Sequence, residues 1–243
     1  MVELDHIPIW TDRSDRILAF LNERLGMGIL NGFSPGGQVI ARGVRFRNGP
    51  FLDIHQLGRV LPGFDRAFHR LVGLAGSIDH LERLGDQHGW KSKTSRRSDA
   101  ERPDLAPHWS TLSFRRDQGL ISDIFVIEYD LETPGGPDLA GPLYDLAAPG
   151  AGEVVLDRLW LPVDDAAEAR STLEALGASP LGARASSSPP GEGEAFRLGS
   201  VEIVTSAPWG PDRSLRLDLS HPGGLTMEAS PVPGLTFVVN GLD

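Results

Sequence analysis

Two histidines stand at matched places in the chain. His6 lies in "LDHIPIW" and His69 in "FHRLVGL". Each is twenty residues before a glycine that can close an amphipathic helix, Gly26 and Gly89, and the same step back from Gly177 reaches Asp157. Acids recur near the ends of the segments that follow: Asp53 in "FLDIHQ", with His55 two residues on, Glu128 in "FVIEYD" and Glu228 in "LTMEAS". On a strand, residues two apart share a face, so Asp53 and His55 point the same way. Two neutral imidazoles and a carboxylate suit a divalent first-row metal. Such a set leaves coordination places open for a substrate oxygen or water. The spacing predicts a centre built from His6, His69 and Glu128, with Asp53 or His55 as a further donor. Glu128, or Asp53 if it is not a ligand, would move a proton. A lone strand histidine is more often structural than a ligand; the repeat singles these two out. His80, His88 and His221 have no comparable placement, and His108 is at most a cleft residue.

Repeated elements must bring these residues together. Ile17, Leu18, Phe20, Leu21 and Leu25 mark one face of a helix that Ser14 can cap and Gly26 can end. The same pattern recurs at 68–90, with Ser77 as cap, and at 154–178, with Asp164 or Asp165 as cap. Each helix is followed by segments of alternating polar and apolar residues, as half-covered antiparallel strands require. The unit is therefore βαβββ, and the fold class is α+β. Two units, spanning 1–131, are expected to pair into a cupped mixed sheet around a cleft. A Gly/Pro/Ala-rich linker covers 132–153, and a third unit covers 154–243. The third unit has Asp157 and Glu228 at the two ligand places, and "ARASSSPPGEGE" (183–194) reads as a surface loop within it.

Composition narrows the partners. The formal net charge is −10, which disfavours nucleic acid and anionic membrane; "KSKTSRR" (91–97) is the one basic run. There is no cysteine, so thiolate nucleophiles, disulfides and cysteine-type metal sites are excluded. No basic-then-apolar leader opens the sequence, and no apolar run reaches the roughly 20 residues of a membrane helix. A cytoplasmic protein acting on a small molecule is the expectation. The third unit could serve as a surface for a homodimer. Arg45, Arg47 and Arg70 could meet an anionic substrate, and Trp10, Phe46, Trp109 and Phe114 could line an apolar pocket.

The sequence resembles the vicinal oxygen chelate superfamily, which includes glyoxalase I, extradiol dioxygenases and antibiotic-resistance binding proteins. "LDHIPIWTDRSDRILAFLNERLGM" is similar to that family's opening strand and helix, "FLDIHQL" and "FVIEYDL" to its closing strand, and "SHPGGLTMEA" to its final turn and strand. The resemblance is to the longer, glyoxalase-like branch. It implies a metal (Fe, Mn, Ni or Zn) held in the paired units at the places of His6, Asp53, His69 and Glu128, with His55 as a rival to Asp53. A pattern of His6, His69 and Glu128 alone would suit a dioxygenase. The implied activity is isomerase, lyase or dioxygenase chemistry on a small oxygen-rich compound. The family's metal-free binding proteins provide the alternative.

Overall fold

In a computed structural model the described residues are 2–33, 39–56, 72–96, 109–129, 153–187, 190–209 and 214–242. They form two mixed sheets. The first contains β1 (Glu3–Thr11), β2 (Leu30–Phe33), β3 (Val39–Arg45), β4 (Phe51–Gln56), β5 (Val72–Ala75), β6 (Ser92–Ser95), β7 (Trp109–Phe114) and β8 (Ile124–Tyr129). Its order is β2-β3-β4-β1-β5-β8-β7-β6. The central pair β1 and β5 runs antiparallel, while β1 with β4 and β5 with β8 run parallel. Two βαβββ units thus meet about a pseudo-twofold axis between their opening strands.

The helices cover one face of this sheet. α1 (Ser14–Ala19) continues into a π turn, Phe20–Arg24, and buries Ile17, Leu18, Phe20 and Leu21. α2 (Ile78–His88) buries Ile78 and Leu81 and ends on Gly89 in the left-handed conformation, φ 72°. α1 begins at Ser14 itself, one residue after its N-cap Arg13, and the Ser77 side chain makes no capping bond. Ile7, Ile9, Leu52, Ile54, Leu74 and Val126 fill the helix side of the sheet, each 1% exposed or less. By alternation, His6, Pro8, Trp10, Asp53 and His55 fall on the opposite, concave face.

The second sheet corrects the expected third unit. It contains β9 (Val155–Pro162), β10 (Ser179–Ala185), β11 (Glu192–Leu198), β12 (Val201–Ser206), β13 (Leu215–His221), β14 (Met227–Val232) and β15 (Leu235–Gly241). α3 (Ala166–Ala175) lies between β9 and β10, capped by Asp165, whose carboxylate accepts from the Ala167 and Glu168 amides. The order is β10-β11-β12-β9-β13-β15-β14. The third unit closes at β12, which runs parallel to β9. β13 then pairs antiparallel with β9 and parallel with β15, as β5 does with β1 and β8. The last strands therefore belong to a fourth, helix-less partner unit. Glu228 sits exposed on the sheet edge, away from the ligand place the repeat assigned it. The two ends of 183–194 belong to β10 and β11, which pair with each other there.

The halves share one hydrophobic core. Phe20 stacks on Phe237 at 5.1 Å. The Asn48 amide donates to the Leu156 carbonyl (2.8 Å), and its oxygen accepts from the Leu156 N–H (3.1 Å). The expected linker falls outside the described residues except for Glu153.

Candidate active site

The concave face of the first sheet opens into a cleft of about 1020 Å³. Its inner wall includes His6, Pro8 and Trp10 of β1, Asp53 and His55 of β4, and Phe125 of β8. His6 is only 7% exposed. Its ring stacks on Phe51 (centroids 4.8 Å apart) and meets Phe125 edge-on at 5.1 Å. Gly73 lies opposite His6 in the register, and a Cβ there would approach His6 Cε1 and Phe125 Cζ to 2.8 Å. The glycine makes the space in which the imidazole sits.

A β-bulge sets the direction of that ring. Glu3 and Leu4 pair with Ala75 and Leu74, but His6 pairs with Gly73, so Asp5 is the extra residue. Alternation would send Asp5 to the helix side; instead its carboxylate accepts from His6 Nδ1 at 2.6 Å and from the Tyr129 hydroxyl at 2.9 Å. A bulge re-aims side chains in this way. With Nδ1 engaged, Nε2 is the free nitrogen of the ring, and no described residue hydrogen-bonds it.

Asp53 and His55 form a second pair. His55 Nε2 lies 2.9 Å from Asp53 Oδ2, and the His55 ring stacks on Trp10 at 5.1 Å. Asp53 Oδ1 is buried and has no hydrogen-bond partner among the described residues. An orphaned buried carboxylate oxygen is costly unless something is meant to meet it. Asp53 therefore keeps one oxygen unengaged among the described residues, while His55 holds the other.

The register treats the other expected residues differently. Phe125, not Glu128, is the β8 residue opposite Gly73 and beside His6. Glu128 lies three residues further, about 10 Å along the strand at 3.3 Å per residue. An odd step also turns it to the helix side, opposite Ser110, and it does not line the cleft. His69, Arg70 and His108 lie outside the described residues. Among the described residues, no three His, Asp or Glu side chains are grouped to hold a metal. His6 and Asp53 are two donors of suitable type on neighbouring strands, and the orphaned oxygen of Asp53 fits a cation. Of the expected pocket aromatics, Trp10 and Phe114 line the cleft, whereas Phe46 is fully buried in the core. Arg45 and Arg47 do not line it. His88 stacks on Trp90 and His221 meets the Leu25 carbonyl, so both serve structure.

The rim is built by both halves. Arg116, Asp117 and Asp123 come from the first; Asp164, Asp165 and Glu168 come from the start of α3. Glu168 accepts from the Leu120 N–H at 2.9 Å and from the Thr172 hydroxyl at 2.7 Å. Among the described rim residues, acids outnumber the one arginine, Arg116.

Known structures share this architecture. A hypothetical protein from Staphylococcus aureus matches over 100% of both chains at 10% identity with a TM-score of 0.67. A catechol 2,3-dioxygenase matches over 99% of this chain and 93% of its own, at 14% identity and a TM-score of 0.59. Homoprotocatechuate 2,3-dioxygenase from Arthrobacter globiformis covers 100% and 80%, at 10% identity and a TM-score of 0.58. The fold is the vicinal oxygen chelate fold. At these identities the likeness is one of fold. No family model and no curated protein matches the sequence.

The vicinal oxygen chelate fold occurs twice in this chain, and the second copy corrects one equivalence. β9 has the same bulge, at Asp157, and Arg158 pairs with Asp218 as His6 pairs with Gly73. Arg158 and His6 each precede their helix by eight residues. Asp157 is therefore the counterpart of Asp5, and Arg158 is the counterpart of His6. Counting back from the glycines misplaced this by one, because the π turn after α1 adds a residue there. The eight-residue offset before α2 falls on Arg70, one past His69.

Proposed function

We propose that the concave face of the first sheet is the active site of a divalent-metal-dependent enzyme acting on a small, oxygen-rich molecule. The observation that carries this is the buried oxygen of Asp53, without a partner among the described residues, in the same cleft as His6, whose Nδ1 is already engaged. His6 Nε2 and Asp53 Oδ1 would hold the ion; the sequence offers His69 as a third donor, one residue before the position that the helix offset makes equivalent to His6. A bound divalent ion would supply Lewis acidity toward substrate oxygens. The chain's own groups would bind and orient the ligand: Trp10 and Phe125 offer faces for a planar molecule, and His55 keeps Asp53 in place. Several solved proteins with this fold are 2,3-dioxygenases by name, which supports oxygenase chemistry alongside isomerase or lyase chemistry.

Metal analysis of the purified protein after loading with Fe²⁺, Mn²⁺, Ni²⁺ or Zn²⁺ tests the proposal. Near-stoichiometric metal is expected, with loss in both His6→Ala and Asp53→Asn. Absence of metal under every loading condition would overturn it. The second reading, a metal-free binding protein, draws on Phe125, which puts an aromatic ring where a closing-strand carboxylate would complete the cluster. Retained binding of small aromatic compounds by a metal-free protein would favour that reading.

A further inference from the structure

We propose that Asp5 and Tyr129 are positioning residues for His6, acting together as a hydrogen-bonded chain that fixes the imidazole in the tautomer with Nε2 unprotonated. The proposal rests on the metal reading above only for its consequence; the tautomer itself follows from the contacts. A carboxylate can only accept, so Asp5 Oδ2 at 2.6 Å draws the proton to Nδ1 and leaves a lone pair on Nε2. Tyr129 donates to the same oxygen at 2.9 Å and holds the carboxylate from the far side. The carboxylate comes from the first unit and the hydroxyl from the second, 124 residues apart in sequence. The two units thus cooperate on one ring, although the expected acid of the second unit, Glu128, faces away.

Three features make this arrangement specific. The bulge at Asp5 places consecutive polar side chains on one face, which a regular strand cannot do. Phe51 and Phe125 enclose the ring and limit its rotation. The second copy keeps the bulged acid, Asp157, but there a hydroxyl of Ser220 meets it and arginine replaces the histidine. The recurring bulge is therefore part of the fold, and the chain from Tyr129 to the imidazole belongs to the cleft-bearing half alone.

The imidazole ¹⁵N shifts of His6, read at about pH 8 where an ordinary histidine is neutral, report the tautomer without any metal. Wild-type protein is expected to show Nδ1–H. Asp5→Asn, whose amide can donate to Nδ1, should move the ring toward Nε2–H. Tyr129→Phe should keep Nδ1–H but broaden the signal. In parallel, Zn²⁺ affinity by calorimetry should fall 10- to 100-fold in Asp5→Asn, as loss of an outer partner of a liganding histidine does elsewhere. It should fall less in Tyr129→Phe. Circular dichroism checks that both variants fold, and Tyr129→Phe removes only one oxygen from a half-buried ring. An Nε2–H tautomer in wild type, or Nδ1–H unchanged in Asp5→Asn, overturns the proposal. Failure of wild type to take Zn²⁺, with the tautomer as expected, sinks the metal reading and leaves the positioning role standing.

Discussion

The two concave faces of this molecule have the same register and opposite contents. Where the first has His6, Phe51, Gly73, Pro8 and Asp53, the second has Arg158, Glu202, Asp218, Trp160 and Val204. At the place that corresponds to His6 the second face is filled by charged side chains. Glu202 is 4% exposed and accepts from Arg158 at 3.0 Å and Arg184 at 2.8 Å. Asp218 is 2% exposed and accepts from Arg216 at 2.6 Å and from the Trp160 indole at 2.9 Å. Arg216 also lies over the Trp160 ring, 5.1 Å from its centroid. One glycine and one small ring leave room for a ligand; one aspartate and one indole remove it. Buried charges are tolerable only while each has its partner, so the second face is committed to structure. Among the described residues the first face leaves a carboxylate oxygen, Asp53 Oδ1, without a partner, whereas the second leaves a neutral hydroxyl, that of Ser206.

The largest expected effect comes from breaking the second face. Asp218→Asn should strand Arg216 and lower stability by about 3–5 kcal/mol, measured by urea unfolding, while leaving His6 undisturbed. The double change Arg216→Met, Asp218→Leu should recover most of that loss, because an apolar pair of similar volume removes the buried charges together. Gly73→Ala should cost about 1–3 kcal/mol through overpacking and should displace His6, visible in its ring shifts, with no effect on the second face. His55→Ala removes the stack on Trp10 and one hydrogen bond to Asp53, and should cost about 1 kcal/mol. Metal occupancy should fall less than in Asp53→Asn. Arg158→His is expected to produce no Zn²⁺ binding by calorimetry, since Val204 stands where Asp53 would be. Binding there would show that the two faces differ less than their contents suggest.

Much of this was legible in the chain, and the gaps have physical causes. The repeat, the helices and the paired first sheet follow from apolar spacing, which tertiary packing reinforces. Asp53 and His55 could be placed because "FLDIHQ" alternates cleanly. The role of Asp5 could not, because a bulge changes the facing of one residue without leaving a compositional trace; the adjacent "DH" was the only signal. Glu128 was misjudged by a step of three along a strand, where an odd step reverses the face. Asp157 stood in for Arg158 because a single π turn shifts a count made from the wrong end of a helix. The fourth unit stayed hidden since it lacks the helix by which the other three were found.

Glu168 has a consequence for how the halves can change. It belongs to the second half, yet its carboxylate secures Leu120 and forms part of the rim of the cleft in the first. Gly119 beside it has φ 74° and no room for a side chain against that carboxylate. Duplication ordinarily frees one copy to drift. Here the copy whose equivalent place is filled furnishes the doorway of the other, so substitutions near the start of α3 should alter which molecules are admitted, even though the rings that greet them lie in the other half.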